Sequence, residues 1–253
     1  MARKPRKKSE NDIYHILMRG INRQVIFEDE YDYGRFVQTL EKYKESSGFD
    51  LYAYCLMSNH VHLLLKVGQE PLEQLMRRIC GSYVYWYNAK YDRVGYLFQG
   101  RFKSEVVEDD SYFLTVLRYI HQNPVKAGIV KNTDQYKWSS MGEYMGEPKL
   151  IKTTFALKYF GLEPETARER FSEFCSAAND DRCLEAEIKK HRSDEEAREL
   201  IRKVCRVESP VDLQGFDKVR RNNYLKELKE NHHLSVRQIE RLTGINRGVV
   251  LKA

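Results

Sequence analysis

Seven residues, Asn59-His60-Val61-His62-Leu63-Leu64-Leu65, constrain this chain more than any other stretch. Alternate side chains of a β-strand share a face, so His60 and His62 point together while Val61 points the other way. Two neutral imidazoles held side by side can bind one divalent cation. An isolated H-x-H is more often a pair of surface histidines on a half-exposed strand, so the neighbouring segments must decide. Phe49 to Met57 is a second strand, and the Ser58-Asn59 turn joins it to His60–Val67 as a hairpin.

The elements around the hairpin follow from spacing. Tyr14 to Arg19 reads as a strand ended by Gly20. Glu30 to Glu45 carries Tyr33, Phe36, Val37, Leu40 and Tyr43 at helical intervals, and Gly48 stops it. A long helix with Pro71 at its start covers Glu70 to Tyr91, and Phe98 to Val107 returns as extended chain. Asp110 or Ser111 then caps a helix running to Pro124. The order β-α-β-β-α-β-α predicts an α+β fold over residues 11–145: a ferredoxin-like, split β-α-β antiparallel sheet with helices on one face.

At 253 residues the chain can bury a full core with something smaller beside it. Charged residues at 32% and hydrophobic residues at 42% describe a globular protein, not a disordered one. The net charge of +6 suits a polyanionic partner without requiring one. Arg3, Lys4, Arg6, Lys7 and Lys8 make residues 1–10 a basic arm with no apolar stretch, which argues against a secretory signal. No run approaches the ~20 apolar residues of a membrane span, so no membrane partner is expected. Cys55, Cys80, Cys175, Cys183 and Cys205 are scattered without C-x-x-C spacing. They argue for reduced thiols in the cytoplasm and against a zinc ribbon.

Beyond residue 145 the pattern changes. Residues 146–210 mix charges with sparse apolar positions, as expected of a helical connector. Residues 211–253 hold a helical stretch from Phe216 to Leu228 and then Leu234 to Val250. There Ser235 suits an N-cap, Ile239 and Leu242 face inward, and Gly244 supplies a sharp turn. This all-α layout predicts a helix-turn-helix whose second helix starts near Asn246, with Arg237, Arg241, Asn246 and Arg247 available to duplex DNA. An ordinary helical hairpin has the same spacing.

The segment Arg118-Tyr119-Ile120-His121-Gln122-Asn123-Pro124 carries the second half of the chemistry. On a helix, a residue four positions on is rotated by only about 40°, so Asn123 shares the face of Tyr119 while His121 points nearly opposite. If Tyr119 faces the histidine strand, His60, His62 and Asn123 form an N,N,O set suited to Mg²⁺ or Mn²⁺ when a substrate supplies further oxygens. Pro124 should confine Asn123 to the last turn. A tyrosine makes chemical sense as a nucleophile against a phosphodiester, storing the bond energy as a phosphotyrosine from which the strand can be rejoined. A free phenol ionises near pH ~10, so the cation must assist by positioning and polarising the phosphate. Taken alone, in a chain of 17 tyrosines, Tyr119 reads rather as a helix tyrosine packed against the sheet.

Four stretches resemble one family. They are Tyr14-His15-Ile16-Leu17-Met18-Arg19-Gly20-Ile21-Asn22-Arg23-Gln24 and Ala53-Tyr54-Cys55-Leu56-Met57-Ser58-Asn59-His60-Val61-His62-Leu63-Leu64. Leu97-Phe98-Gln99-Gly100-Arg101-Phe102-Lys103-Ser104 and Tyr119-Ile120-His121-Gln122-Asn123-Pro124-Val125-Lys126-Ala127-Gly128 follow in order. Residues 12–145 thereby resemble the REP-associated tyrosine transposases of the HUH single-strand DNA transposase superfamily. Ile21 and Ser58 depart from the usual pattern at positions that do not touch the chemistry. The resemblance implies His60 and His62 as metal ligands, Tyr119 as nucleophile, and Asn123 where relatives carry a third polar ligand. The tail is similar, less specifically, to the helix-turn-helix extension of some members.

These readings converge on a metal-dependent endonuclease and strand transferase acting on single-stranded or hairpin DNA, including repeated palindromes, through a 5′-phosphotyrosine. Phosphates should pass Arg19, Asn22, Arg23, Arg101 and Lys103 near the site. One or two aromatics between Tyr83 and Phe98 should stack unpaired bases, the rest being core. Two other functions share these residues: a non-catalytic DNA-binding regulator of palindromes, and a metallohydrolase using activated water. A monomer and a homodimer, with the site built in cis or in trans, are both compatible with the sequence.

Overall fold

A computed structural model describes residues 6–181, 183–184, 194–232 and 234–253. Arg3 and Lys4 of the expected basic arm lie outside these residues. The contacts divide the chain into two units, residues 1–186 and 187–253.

Four strands organise the first unit: β1 (Ile13–Arg19), β2 (Asp50–Met57), β3 (His60–Lys66) and β4 (Lys103–Val106). Their order is β2-β3-β1-β4 and every neighbouring pair is antiparallel, as a split β-α-β plan requires. The hairpin turns at Ser58-Asn59, as expected. β4 is shorter than the extended run expected over 98–107. Phe98 makes only an isolated bridge to Gly20, and Gly100, at φ 68, turns the chain before pairing resumes at Lys103.

Helix α1 (Glu30–Ser47) starts at a capping box between Asp29 and Asp32 and ends at Gly48, whose φ of 63 suits glycine. Helix α2 (Leu72–Lys90) runs beside it. Its last residue, Lys90, reaches Asp29 at 2.8 Å and Asp32 at 2.6 Å, tying the end of α2 to the start of α1. Both helices cover the sheet face that carries Ile16, Met18, Val61 and Leu63. Cys80 of α2 touches Met18 Sδ at 3.3 Å, and Phe36 of α1 packs edge-on against Tyr83 of α2.

Helix α3 (Asp110–Lys126) covers the other face, on which Leu17, His62 and Leu64 lie. The α+β plan stands, but helices sit on both faces of the sheet rather than on one. A sheet buried on both sides needs apolar residues in both phases of the strand. Leu63, Leu64 and Leu65 are accordingly all fully buried, each stabilising the fold by roughly 1.5–3 kcal/mol. The α3 N-cap is Asp109, whose side chain accepts the Tyr112 amide, one residue before the expected cap. The helix also passes through Pro124 instead of stopping there. Proline forfeits one helical hydrogen bond, yet the Asn123 carbonyl still accepts the Ala127 amide at 3.0 Å. Asn123 therefore sits in the last turn, as expected, and within the hydrogen-bonded helix.

The expected connector over 146–210 is not a separate piece. After α4 (Met141–Met145) and α5 (Thr154–Leu157), helix α6 (Pro164–Ser176) packs on α3, and its Phe171 and Cys175 join the first core. Helix α7 (Asp194–Cys205) belongs to the second unit. There Ala197, Ile201 and Cys205 share a core with residues of α8 (Lys218–Glu230), α9 (Val236–Thr243) and α10 (Arg247–Lys252). Residues 185–193 of the connector lie outside the described residues. Ser235 caps α9, Gly244 turns at φ 70, and Asn246 caps α10. Among the described residues no helix is long and apolar enough to cross a membrane, and all five cysteines are free.

Candidate active site

Register sets the site. Pairing of β1 with β3 puts Leu17 opposite His62 and Arg19 opposite His60, so the histidine face continues onto β1. The His60 Nδ1 lies 2.6 Å from Asn59 Oδ1. An amide oxygen only accepts, so Nδ1 carries the proton and a neutral His60 keeps its lone pair on Nε2. That Nε2 faces Asn123 Oδ1 at 3.4 Å. Two lone-pair atoms face each other favourably only when positive charge lies between them. Two ligands held ~2.1 Å from one octahedral cation stand about 3 Å apart, so this spacing fits a shared divalent ion. The His62 ring is 5.2 Å from that of His60 and is buried. His60 Nε2 and Asn123 Oδ1 thus stand close enough to share a cation, with the His62 ring beside them. Among the described residues no group of three or more His, Cys, Asp or Glu side chains is placed to hold a metal. The donor set is two imidazoles and one amide oxygen, which would draw its remaining ligands from substrate and water.

Helix α3 brings the tyrosine. Tyr119 is 8% exposed, and its ring lies 5.7 Å from His62 and 6.1 Å from His15. Lys126 Nζ sits 5.3 Å from the centre of the same ring. The flank of α3 beside Tyr119 fixes this orientation. Arg118 forms a two-pronged ion pair with Asp181 at 2.7 and 3.0 Å, and Gln122 donates to the Cys175 and Ala177 carbonyls at 2.8 Å each. His121 points away from the site, as its spacing predicts, with Nε2 2.7 Å from Ser140 Oγ. Burial pushes its pKa down to about 3, so it stays neutral.

One residue that spacing did not single out sits behind the pair. His15 is fully buried, and its Nε2 lies 3.0 Å from His62 Nδ1 with the two rings stacked. Its Nδ1 is 3.7 Å from Glu105 on β4, longer than a hydrogen bond. Burial pushes the Glu105 carboxyl up, but neighbouring His15 and Tyr112 outweigh this and hold it below its usual range. Only the β1–β3 register could have revealed His15 beside His62, because His15 lies two residues from the position facing His62.

The cationic residues divide by place. Lys103 begins β4 opposite Leu17, on the histidine face. Asn22 and Arg23 are exposed in a short 3-10 turn with φ of 51 and 60, and the Arg23 carbonyl accepts Asn59 Nδ2 at 3.3 Å. Gly20 permits that turn, since a Cβ there would lie 2.2 Å from the Gln24 carbonyl. Arg19 and Arg101 line a cavity of about 570 Å³ together with Arg6 of the basic arm and Arg77, a cation that sequence reasoning did not select. Within the aromatic interval, the Tyr83, Tyr87 and Tyr91 hydroxyls bond to Ile26, Glu28 and Asp32 inside the unit. Tyr85 and Tyr96 remain 81% and 85% exposed.

In the second unit Arg237 and Arg247 are exposed. Arg241 is ion-paired with Asp194. The Asn246 side chain accepts the Gly248 amide at 2.8 Å as the cap of α10.

Comparison with known proteins bears on the family and the fold. Residues 8–123 match the family model of IS200-like transposases. The structure of a REP-associated tyrosine transposase bound to a REP hairpin is similar, with 18% identity and a TM-score of 0.50. That match covers 58% of this chain and 87% of the other. A candidate transposase from Deinococcus radiodurans matches at 20% identity and a TM-score of 0.34, covering 48% of this chain and 97% of that one. No curated protein matches the chain.

Proposed function

Residues 8–123 belong to the IS200-like transposase family, and from that premise we propose that this protein cleaves and rejoins one strand of DNA through Tyr119. The observation that carries the proposal is convergence. Tyr119 and Asn123, one turn apart on α3, meet His62 and His60 on the sheet at a 5.7 Å ring separation and a 3.4 Å contact.

The Tyr119 oxygen would attack a backbone phosphorus, losing its proton as the P–O bond forms. The bond from phosphorus to the ribose 3′-oxygen breaks, and the departing oxygen takes up a proton. The 5′-phosphate is then held on Tyr119, and attack by a 3′-hydroxyl reverses the step and joins a strand. His60 Nε2, His62 and Asn123 Oδ1 would hold Mg²⁺ or Mn²⁺, which would polarise the phosphate and stabilise its developing charge. The packing of α3 between sheet and α6 holds Tyr119 in place, and Arg19, Arg23 and Lys103 offer charge to the DNA backbone.

The solved relative bound to a REP hairpin supports hairpin DNA as the substrate class. In the second unit, α9 and α10 with Arg237 and Arg247 would grip a duplex stem in the manner of a helix-turn-helix. Labelled hairpin DNA from the flanks of the gene, incubated with protein and Mn²⁺, should give a covalent adduct on a denaturing gel. Tyr119→Phe should bind the same DNA and give no adduct. Cleavage retained by that variant would remove the phosphotyrosine step and favour an activated water.

A further inference from the structure

The contact between His15 and His62 has two neutral forms. Their nitrogens are 3.0 Å apart inside the core, so one ring donates and the other accepts. If His15 Nε2 donates, His62 accepts at Nδ1 and carries its proton on Nε2, where it cannot ligate a cation. The lone pair of His15 Nδ1 would then face the Glu105 carboxylate 3.7 Å away, an unfavourable pairing. If instead His62 Nδ1 donates, His15 turns its own Nδ1–H toward the carboxylate, and the His62 lone pair lies on Nε2. The carboxylate separates the two forms.

We propose that Glu105 and His15 form a relay that selects the His62 tautomer able to ligate a cation. The inference rests on the metal reading above and assigns a positioning role to two residues outside the ligand set. The register built it: His15 pairs directly with Glu105 across β1 and β4, and it lies diagonal to His62 across β1 and β3. A one-residue slip of either pair would send the partner to the opposite face. The Glu105 side chain is 29% exposed. It can therefore be altered without opening the core. Partners behind a ligating histidine orient the ring and set its tautomer, and their loss lowers metal affinity by roughly 10- to 100-fold.

Two variants test the relay in the full-length chain. Glu105→Gln can offer an N–H to His15 Nδ1, which reverses the polarity. His15→Phe keeps a stacked ring and removes the acceptor. Long-range ¹H–¹⁵N NMR of the metal-free protein should show His62 protonated at Nδ1 in the wild type, with Nε2–H populated in Glu105→Gln. Paramagnetic resonance of free Mn²⁺ should give about 10-fold weaker binding for Glu105→Gln and a larger loss for His15→Phe. Circular dichroism checks that each variant is folded. A wild-type His62 protonated at Nε2 would overturn the relay, as would Mn²⁺ affinity unchanged within about twofold in folded variants of both kinds. The expected tautomers in a wild type that binds no Mn²⁺ would support the relay and refute the metal reading instead.

Discussion

Acid should destabilise this fold through His121, which lies between Tyr119 and Asn123 but faces away from them. The ring is fully buried against Ser140, Tyr144 and Phe171. Its folded pKa is pushed down to about 3 by burial, whereas an unfolded histidine titrates near ~6.5. Between these values the unfolded chain binds a proton that the folded chain refuses, so stability falls as pH drops below about 6.5. The linkage relation gives a loss of about 2 kcal/mol between pH ~7 and pH ~5, steepening toward ~1.4 kcal/mol per unit until the folded pKa is reached. Urea unfolding at the two pH values, in the wild type and in His121→Gln, measures it. Glutamine keeps a polar group toward Ser140 and cannot titrate. The variant should be less stable at neutral pH yet lose about 2 kcal/mol less on acidification. Equal pH dependence in the two proteins would refute the reasoning, because His121 would then be protonated or hydrated within the fold.

Three further outcomes are expected. His60→Ala or His62→Ala should each abolish cleavage, and a chelator should silence the wild type until Mg²⁺ or Mn²⁺ is restored; cleavage assays with metal titration check this. A chain ending at residue 186 should keep cleavage of a short single-stranded substrate at saturating DNA. It should bind hairpin DNA more weakly, with a salt slope shallower by about 0.9 per lost phosphate contact. Tyr85→Ala and Tyr96→Ala replace the two exposed aromatics of the α2 region, and whichever stacks a base should weaken single-strand binding by ~1–3 kcal/mol in fluorescence anisotropy.

The first unit was legible wherever local rules dominate. The Ser58-Asn59 turn, the Gly48 stop and the helical phase that joins Tyr119 to Asn123 all follow from spacing alone. Spacing misjudged what tertiary packing decides. Pro124 does not end α3, because packing on both sides holds the last turn together. The helices of 146–210 looked like a connector because each buries only a narrow stripe, Ala167, Phe171 and Cys175 on α6 and Ala197, Ile201 and Cys205 on α7, among many charged residues. His15 was hidden by register. Nothing in Tyr14-His15-Ile16 tells which strand will lie beside it, and only the pairing of β1 with β3 brings it to His62. The cleanest example in the second unit is α9, where Ser235 and Gly244 cap and end the helix where their chemistry predicts. Its neighbour α10 shows the limit: Asn246, expected to be available to duplex DNA, uses its side chain as a cap. The two-unit division also sets where the chain can be cut, since a cut at the expected boundary near residue 210 would strand α7 without the partners that bury Ile201.

A bond between the Tyr119 oxygen and a DNA phosphate is directly visible to mass spectrometry. The protein is incubated with hairpin DNA and Mn²⁺, trimmed with nuclease and digested with protease. The peptide containing Tyr119 should carry the added mass of a nucleotide, with fragment ions locating it on that side chain and none found in Tyr119→Phe. Cleaved DNA without any adduct, or an adduct on another residue, would contradict the assignment of Tyr119 as the nucleophile.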